Sequence, residues 1–184
     1  SEIIRSNGGK TTILEGKEAT ELNLKSALIP EILHLATHGF FIGSENSLIN
    51  PLLKSGLVLA GVNNRDSFED SSEDGILTAF EIASLDLKKT KLVILSACET
   101  GLGDVKNGDG VYGLQRAFKM AEARFIILSM WKVDDEATMQ LMKLFYKSLV
   151  QTNDVALSFD VAQKELRVKY PHPYYWGAFK LFGY

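Results

Sequence analysis

Apolar residues along this chain follow two rhythms: short unbroken runs, and longer stretches in which they recur every three or four positions. The runs Ile32-Leu33-His34-Leu35-Ala36-Thr37-His38, Leu92 to Ala97 and Phe125 to Met130 are of strand length. Their continuous apolar character is that of strands covered on both faces. Thr11 to Leu14 is a further β-prone run. The helical rhythm begins at Ala19 to Leu28, with leucines at 22, 24 and 28 ahead of Pro30, and predicts a short amphipathic helix. It returns over Ile76 to Leu85 and over Gly110 to Met120, where residues 111, 114, 117, 118 and 120 are apolar. A longer helix is predicted from Glu136 to Val150, capped by Asp134 or Asp135, with Met139, Met142, Phe145, Tyr146 and Leu149 on its inner face. Asp154 opens another, running to about Val168.

Strands that alternate with helices call for an α/β fold with a mainly parallel sheet, and such sheets bind ligands beyond the carboxyl ends of their strands. His38 and Cys98 are predicted at that edge. At 184 residues and 46% hydrophobic composition, the chain is long enough for one core, and a single domain over residues 1–184 is expected. The run Asn63 to Asp74 has five acidic residues, one basic and one large apolar residue, and reads as a mobile acidic loop. Twenty Lys and Arg against 23 Asp and Glu leave a net charge of −3, with no basic cluster beyond Lys88-Lys89, which argues against nucleic acid as a partner. A single cysteine forms no internal disulfide, and no signal-peptide pattern is present, so a reducing, cytoplasmic setting is expected. No apolar run approaches the roughly 20 residues of a membrane span.

Two of the predicted strands end in reactive side chains, His38 followed by Gly39, and Cys98 followed by a loop rich in Gly, Asp and Asn. A thiol of ordinary pKa is only slightly ionised at neutral pH, so a nucleophilic cysteine gains from a histidine that takes its proton and later protonates the leaving amine. The N–H groups of Gly39 and Cys98 could then hold the oxyanion of a tetrahedral intermediate. The plainer reading is that Cys98, next to Ala97, is an inert core thiol. His34 and His38 have the i, i+4 spacing of a helical zinc site. On a strand, however, they stand about 13 Å apart, and His172 is the only other histidine. No metal and no cofactor are expected, and His34 reads as a core histidine. Gly108-Asp109-Gly110-Val111-Tyr112-Gly113 satisfies a dinucleotide-binding glycine pattern and makes nucleotide binding an alternative. The run is offset from its strand, and Asp104 and Asp109 would repel a pyrophosphate. No G-x-S-x-G elbow is present, and Ser96 reads as a strand residue packed in the core.

The segments LHLATHGFF (33–41), DGILTAFEI (74–82), LVILSACETGLGDVKNGDGVYGLQRAF (92–118), ILSMWKVDDEAT (127–138) and AQKELR (162–167) resemble the CHAT domain, a bacterial caspase-like peptidase related to separases. The likeness spans about residues 11 to 184. It implies a caspase-like three-layer α/β/α sandwich and a cysteine endopeptidase in which Cys98 is the nucleophile and His38 the general base. It also implies a protein substrate and control by sensor modules, often tetratricopeptide repeats. A non-catalytic adaptor of the same fold is the alternative. Such domains carry more sheet and helix ahead of the segment that begins here, so the histidine strand is expected to lack a neighbour within this chain. The loop after the third apolar strand, with Trp131, Lys132, Asp134 and Asp135, is expected to line the pocket for the residue before the scissile bond. One departure is Glu122, where the family usually has a glycine between two alanines.

Overall fold

The computed structural model describes residues 2–7, 9–26, 30–42, 50–63, 74–96, 109–132 and 134–183. Strands β1 (Glu2–Asn7), β2 (Lys10–Glu15) and β3 (Ile32–Ala36) are joined in the main sheet by β7 (Leu92–Leu95), β8 (Phe125–Ser129) and β9 (Phe179–Gly183), in the order β2-β1-β3-β7-β8-β9. The centre, β3-β7-β8, is parallel, and β1 and β9 pair antiparallel to it on either side. Because β2 is antiparallel to β1, four of these six strands, β2, β3, β7 and β8, run in one direction.

The unbroken apolar runs are explained by what covers each face. Leu33, Leu35, Val93, Leu95, Ile126 and Leu128 belong to one core cluster with Ala79 and Ile82 of α2 (Ala79–Ala83) and Leu114, Ala117 and Phe118 of α3 (Asp109–Met120). Leu92, Ile94 and Ile127 alternate with these and meet Leu141, Met142 and Phe145 of α4 (Asp135–Thr152) and Phe159, Ala162 and Leu166 of α5 (Val155–Lys169). Successive residues of each central strand thus enter opposite helical layers, and the chain is an α/β/α sandwich of the caspase-like kind. Asp134 and Asp154 cap α4 and α5 by accepting from the N–H groups of Ala137 and Leu157. Both helices therefore begin where the capping residues predict.

Several elements depart from the sequence reading. The strand predicted to run through His38 stops at Ala36, and His38 instead opens β4 (His38–Phe41). This strand pairs with β5 (Ser55–Val58), and β5 with β6 (Ile76–Thr78), in a separate three-stranded antiparallel sheet. Strands this short, two of them carrying a glycine, show too little alternation to be read locally. The predicted helix over Ile76 to Leu85 is a strand followed by the shorter α2, whose start is set by a reciprocal capping box between Thr78 and Glu81. The strand holding His34 does not lack a neighbour: β1 lies against it, in register from Glu2↔Ala36 to Ser6↔Ile32. In α1 (Glu21–Lys25), Leu24 is buried but Leu22 is exposed, and Leu28 lies outside the described residues. In α4, Met142 and Phe145 are buried and Tyr146 and Leu149 pack against the core, whereas Met139 is exposed and Ala137, Leu141 and Ser148 complete the buried stripe. Residues 64–73 of the acidic segment are outside the described set, as are 97–108.

Candidate catalytic site

The central parallel pair sets the geometry. β3 and β7 pair from Ile32↔Leu92 to Leu35↔Leu95, and both leave the sheet at the same edge. In the sequence, His38 is three residues beyond Leu35 and Cys98 three residues beyond Leu95, the last paired residues of the two strands. Cys98 itself is outside the described residues. His38 is exposed, at the start of β4 opposite Val58. The preceding residue, Thr37, is held by a hydrogen bond from its hydroxyl to the Val58 carbonyl. Gly39 is buried opposite Leu57. Among the described residues β4 is the edge of its sheet, and alternate N–H groups along such a strand point away from the partner strand.

Below that edge lies a polar group that sequence reasoning did not assemble. His34 is 7% exposed on the α4/α5 face of β3. Its Nε2 is 3.0 Å from Ser96 Oγ and its Nδ1 is 3.0 Å from Tyr146 Oη on α4. Burial holds the imidazole pKa at about 4, so the ring is neutral at physiological pH. Both partners are hydroxyls, which donate or accept as required, so either tautomer is satisfied. The expectation of a core histidine is met. Ser96 sits one residue past the end of β7 and is half-buried, and its N–H donates to Leu35 O at 3.0 Å. Hydroxyl, imidazole and a third orienting group in a row have the layout of a serine nucleophile with its base. Here the base is strongly depressed by burial and the third group is a neutral phenol rather than a carboxylate, so an imidazolium formed at His34 would be unsupported. The only available sequence signal was the spacing of His34, four residues before His38, and of Ser96, two before Cys98.

The loop expected to line the pocket follows β8, which is parallel to β7 and ends at the same edge. Trp131 is 41% exposed, and its indole N–H donates to Tyr174 O at 3.1 Å. It is thereby fastened to the short α6 (Pro173–Trp176). That turn is secured from beneath by Gln163, whose amide donates to Trp176 O at 2.7 Å and Phe179 O at 3.1 Å, and by Arg167, 4.4 Å over the Trp176 ring. Lys132 and Asp135 are exposed. The Asp134 carboxylate is engaged as the cap of α4, at 2.9 Å from the Ala137 N–H. His172 Nδ1 accepts from the Tyr174 N–H at 3.1 Å. Among the described residues no three metal-ligating side chains come together. Of the alternative glycine run, Gly108 is outside the described residues, while Gly113 packs on β5. A Cβ added there would stand 2.4 Å from Ser55 Oγ, which accounts for that glycine by close helix–strand approach.

A sandwich of this kind, built on a central parallel pair of strands, is a caspase-like fold. The family model for the CHAT domain matches residues 2–184, and the chain belongs to that family. It is also similar to tetratricopeptide repeat protein 28 of Mus musculus, 30% identical over 192 residues. The protein of the same name from Homo sapiens is 29% identical over 192 residues. Each alignment covers 92% of this chain and 8% of the relative, so the chain spans a small part of the length of these curated relatives. No helix among the described residues is long and apolar enough to cross a membrane.

Proposed function

We propose that this domain is a cysteine endopeptidase that cleaves a protein substrate through a thioester acyl-enzyme. Cys98 attacks the scissile carbonyl, His38 takes the thiol proton and returns it to the leaving amine, and the N–H groups of Gly39 and Cys98 hold the oxyanion. The observation that carries this reading is the register of β3 and β7, whose last paired residues, Leu35 and Leu95, each precede a member of the proposed dyad by three positions in the sequence. Membership of the CHAT family supports it. Trp131 and the α6 turn, at the end of the next strand, border the substrate, with Lys132 and Asp135 as the exposed charges there. With Asp134 used as a helix cap, the acidic character of this border falls to Asp135. The name of the relatives supports tetratricopeptide repeats, in the same or another chain, as the regulatory module.

The test is a peptide-library screen with the wild type, Cys98→Ala, His38→Ala and the double variant. Each single substitution is expected to abolish turnover, and the double variant to be no worse than either, because residues acting as one unit give non-additive losses. Cleavage after Asp or Glu should be slight. Turnover that survives in Cys98→Ala removes the assignment, and a wild type that binds peptides without cutting any points to a docking module instead.

A further inference from the structure

The two strands that lead to the dyad are tied together once more just after their ladder ends. Ser96 is the last described residue before the Cys98 segment, and it is anchored to β3 twice. Its N–H donates to Leu35 O, and its hydroxyl meets His34 Nε2, each at 3.0 Å. From the other side Tyr146 reaches His34 Nδ1, also at 3.0 Å, and Tyr146 is itself set against Phe145 with ring centroids 5.4 Å apart. Phe145 is fully buried, so the far end of this chain rests on the buried face of α4.

Three polar side chains in such a place need a physical reason. A buried imidazole costs free energy unless paired, and the part-buried hydroxyls of Ser96 and Tyr146 supply its two partners. What the polar set adds is direction. Apolar contacts tolerate sliding of one parallel strand on the next, whereas a serine hydroxyl within hydrogen-bond reach of one ring nitrogen does not. A neutral link of this kind also fixes geometry without placing a buried charge between β3 and α4.

We propose that the Ser96–His34–Tyr146 hydrogen-bond chain is a positioning device for the dyad, fixing the end of β7, two residues before Cys98, to β3, which ends two residues before His38. The inference rests on the peptidase reading above. His34 and Tyr146 act through Ser96 and touch no substrate.

Because the chain has one cysteine, alkylation by iodoacetamide reports on Cys98 alone. Its rate is measured against pH for the wild type, His38→Ala, Ser96→Ala, His34→Leu and His34→Gln, with circular dichroism and thermal melting on each. If His38 lowers the thiol pKa, His38→Ala slows labelling at pH 7 and moves the midpoint toward the ordinary thiol value of about 8.5. The positioning role predicts the same displacement in Ser96→Ala and His34→Leu, about tenfold slower at pH 7 for a one-unit shift, with the fold retained. It also predicts recovery in His34→Gln, whose amide reaches the position of Nε2. Ser96 is half-exposed, so Ser96→Ala carries the test if His34→Leu does not fold. Wild-type labelling in Ser96→Ala and His34→Leu, alongside slowed labelling in His38→Ala, overturns the positioning role and leaves the dyad standing. If His38→Ala labels like the wild type, the dyad reading falls and the positioning role falls with it.

Discussion

His34 is the residue whose chemistry depends most on its surroundings. In the unfolded chain its pKa is near the ordinary 6.5, and in the folded chain burial lowers it to about 4. The unfolded state therefore binds more protons between these values, and linkage makes the folded state lose stability as pH falls through that window. Stability tied to this ring is complete above pH 6.5 and exhausted near pH 4. At about 1.4 kcal/mol per unit, the span of roughly 2.5 units corresponds to about 3 kcal/mol. Urea unfolding of His34→Leu across pH 4 to 8 should show a flatter acid limb than the wild type, because the variant has no imidazole to protonate on unfolding. Parallel curves between pH 6.5 and 4 would mean that another group governs the acid limb.

Among the elements, the end of α3 carries a visible cost. Glu122 has φ 68°, in the left-handed region, where its N–H bonds Lys119 O at 3.0 Å and the Ala123 N–H bonds Phe118 O at 3.1 Å. A helix end of this form suits glycine, the residue that the family resemblance leads one to expect there, because a Cβ in the left-handed region costs about 1–2 kcal/mol. The opposing term is the exposed Lys88–Glu122 pair at 3.5 Å, and pairs of this sort contribute little. Glu122→Gly should raise stability by about 1 kcal/mol in urea unfolding, less whatever backbone entropy the glycine adds to the unfolded state. Unchanged or lower stability would show that the pair or the entropy outweighs the strain. The short strands β4, β5 and β6 make the contrasting case. Nothing in Ser55–Val58 signals a strand, since its glycine exists to let Phe40 and the Leu77 carbonyl approach closely: an added Cβ would lie 2.8 Å and 2.6 Å from them.

Over the whole molecule, one sheet is shared by two apolar clusters, with Ile126 facing α2 and α3 and Ile94 facing α4 and α5. A shared sheet makes the layers interdependent, and unfolding followed by far-ultraviolet dichroism and by tryptophan fluorescence should give coincident transitions. Ile126→Val and Ile94→Val should each cost about 1 kcal/mol, and their double variant should cost the sum to within about 0.5 kcal/mol, because they share no cluster. Separate transitions would mean that the layers fold as distinct units. The central strands, α3, α4, α5 and the caps at Asp134 and Asp154 were legible in the sequence, because a buried strand or an amphipathic helix is written in consecutive residues whose period is local. Three features were decided only by the tertiary structure. The chain bends at Thr37, so that His38 opens a second sheet; β1 fills the position beside β3; and Ser96, His34 and Tyr146 meet although 62 and 112 residues separate His34 from its partners. Each rests on a pairing between distant segments. Composition and period at one segment say nothing of which other segment supplies the backbone edge or the hydroxyl it will meet.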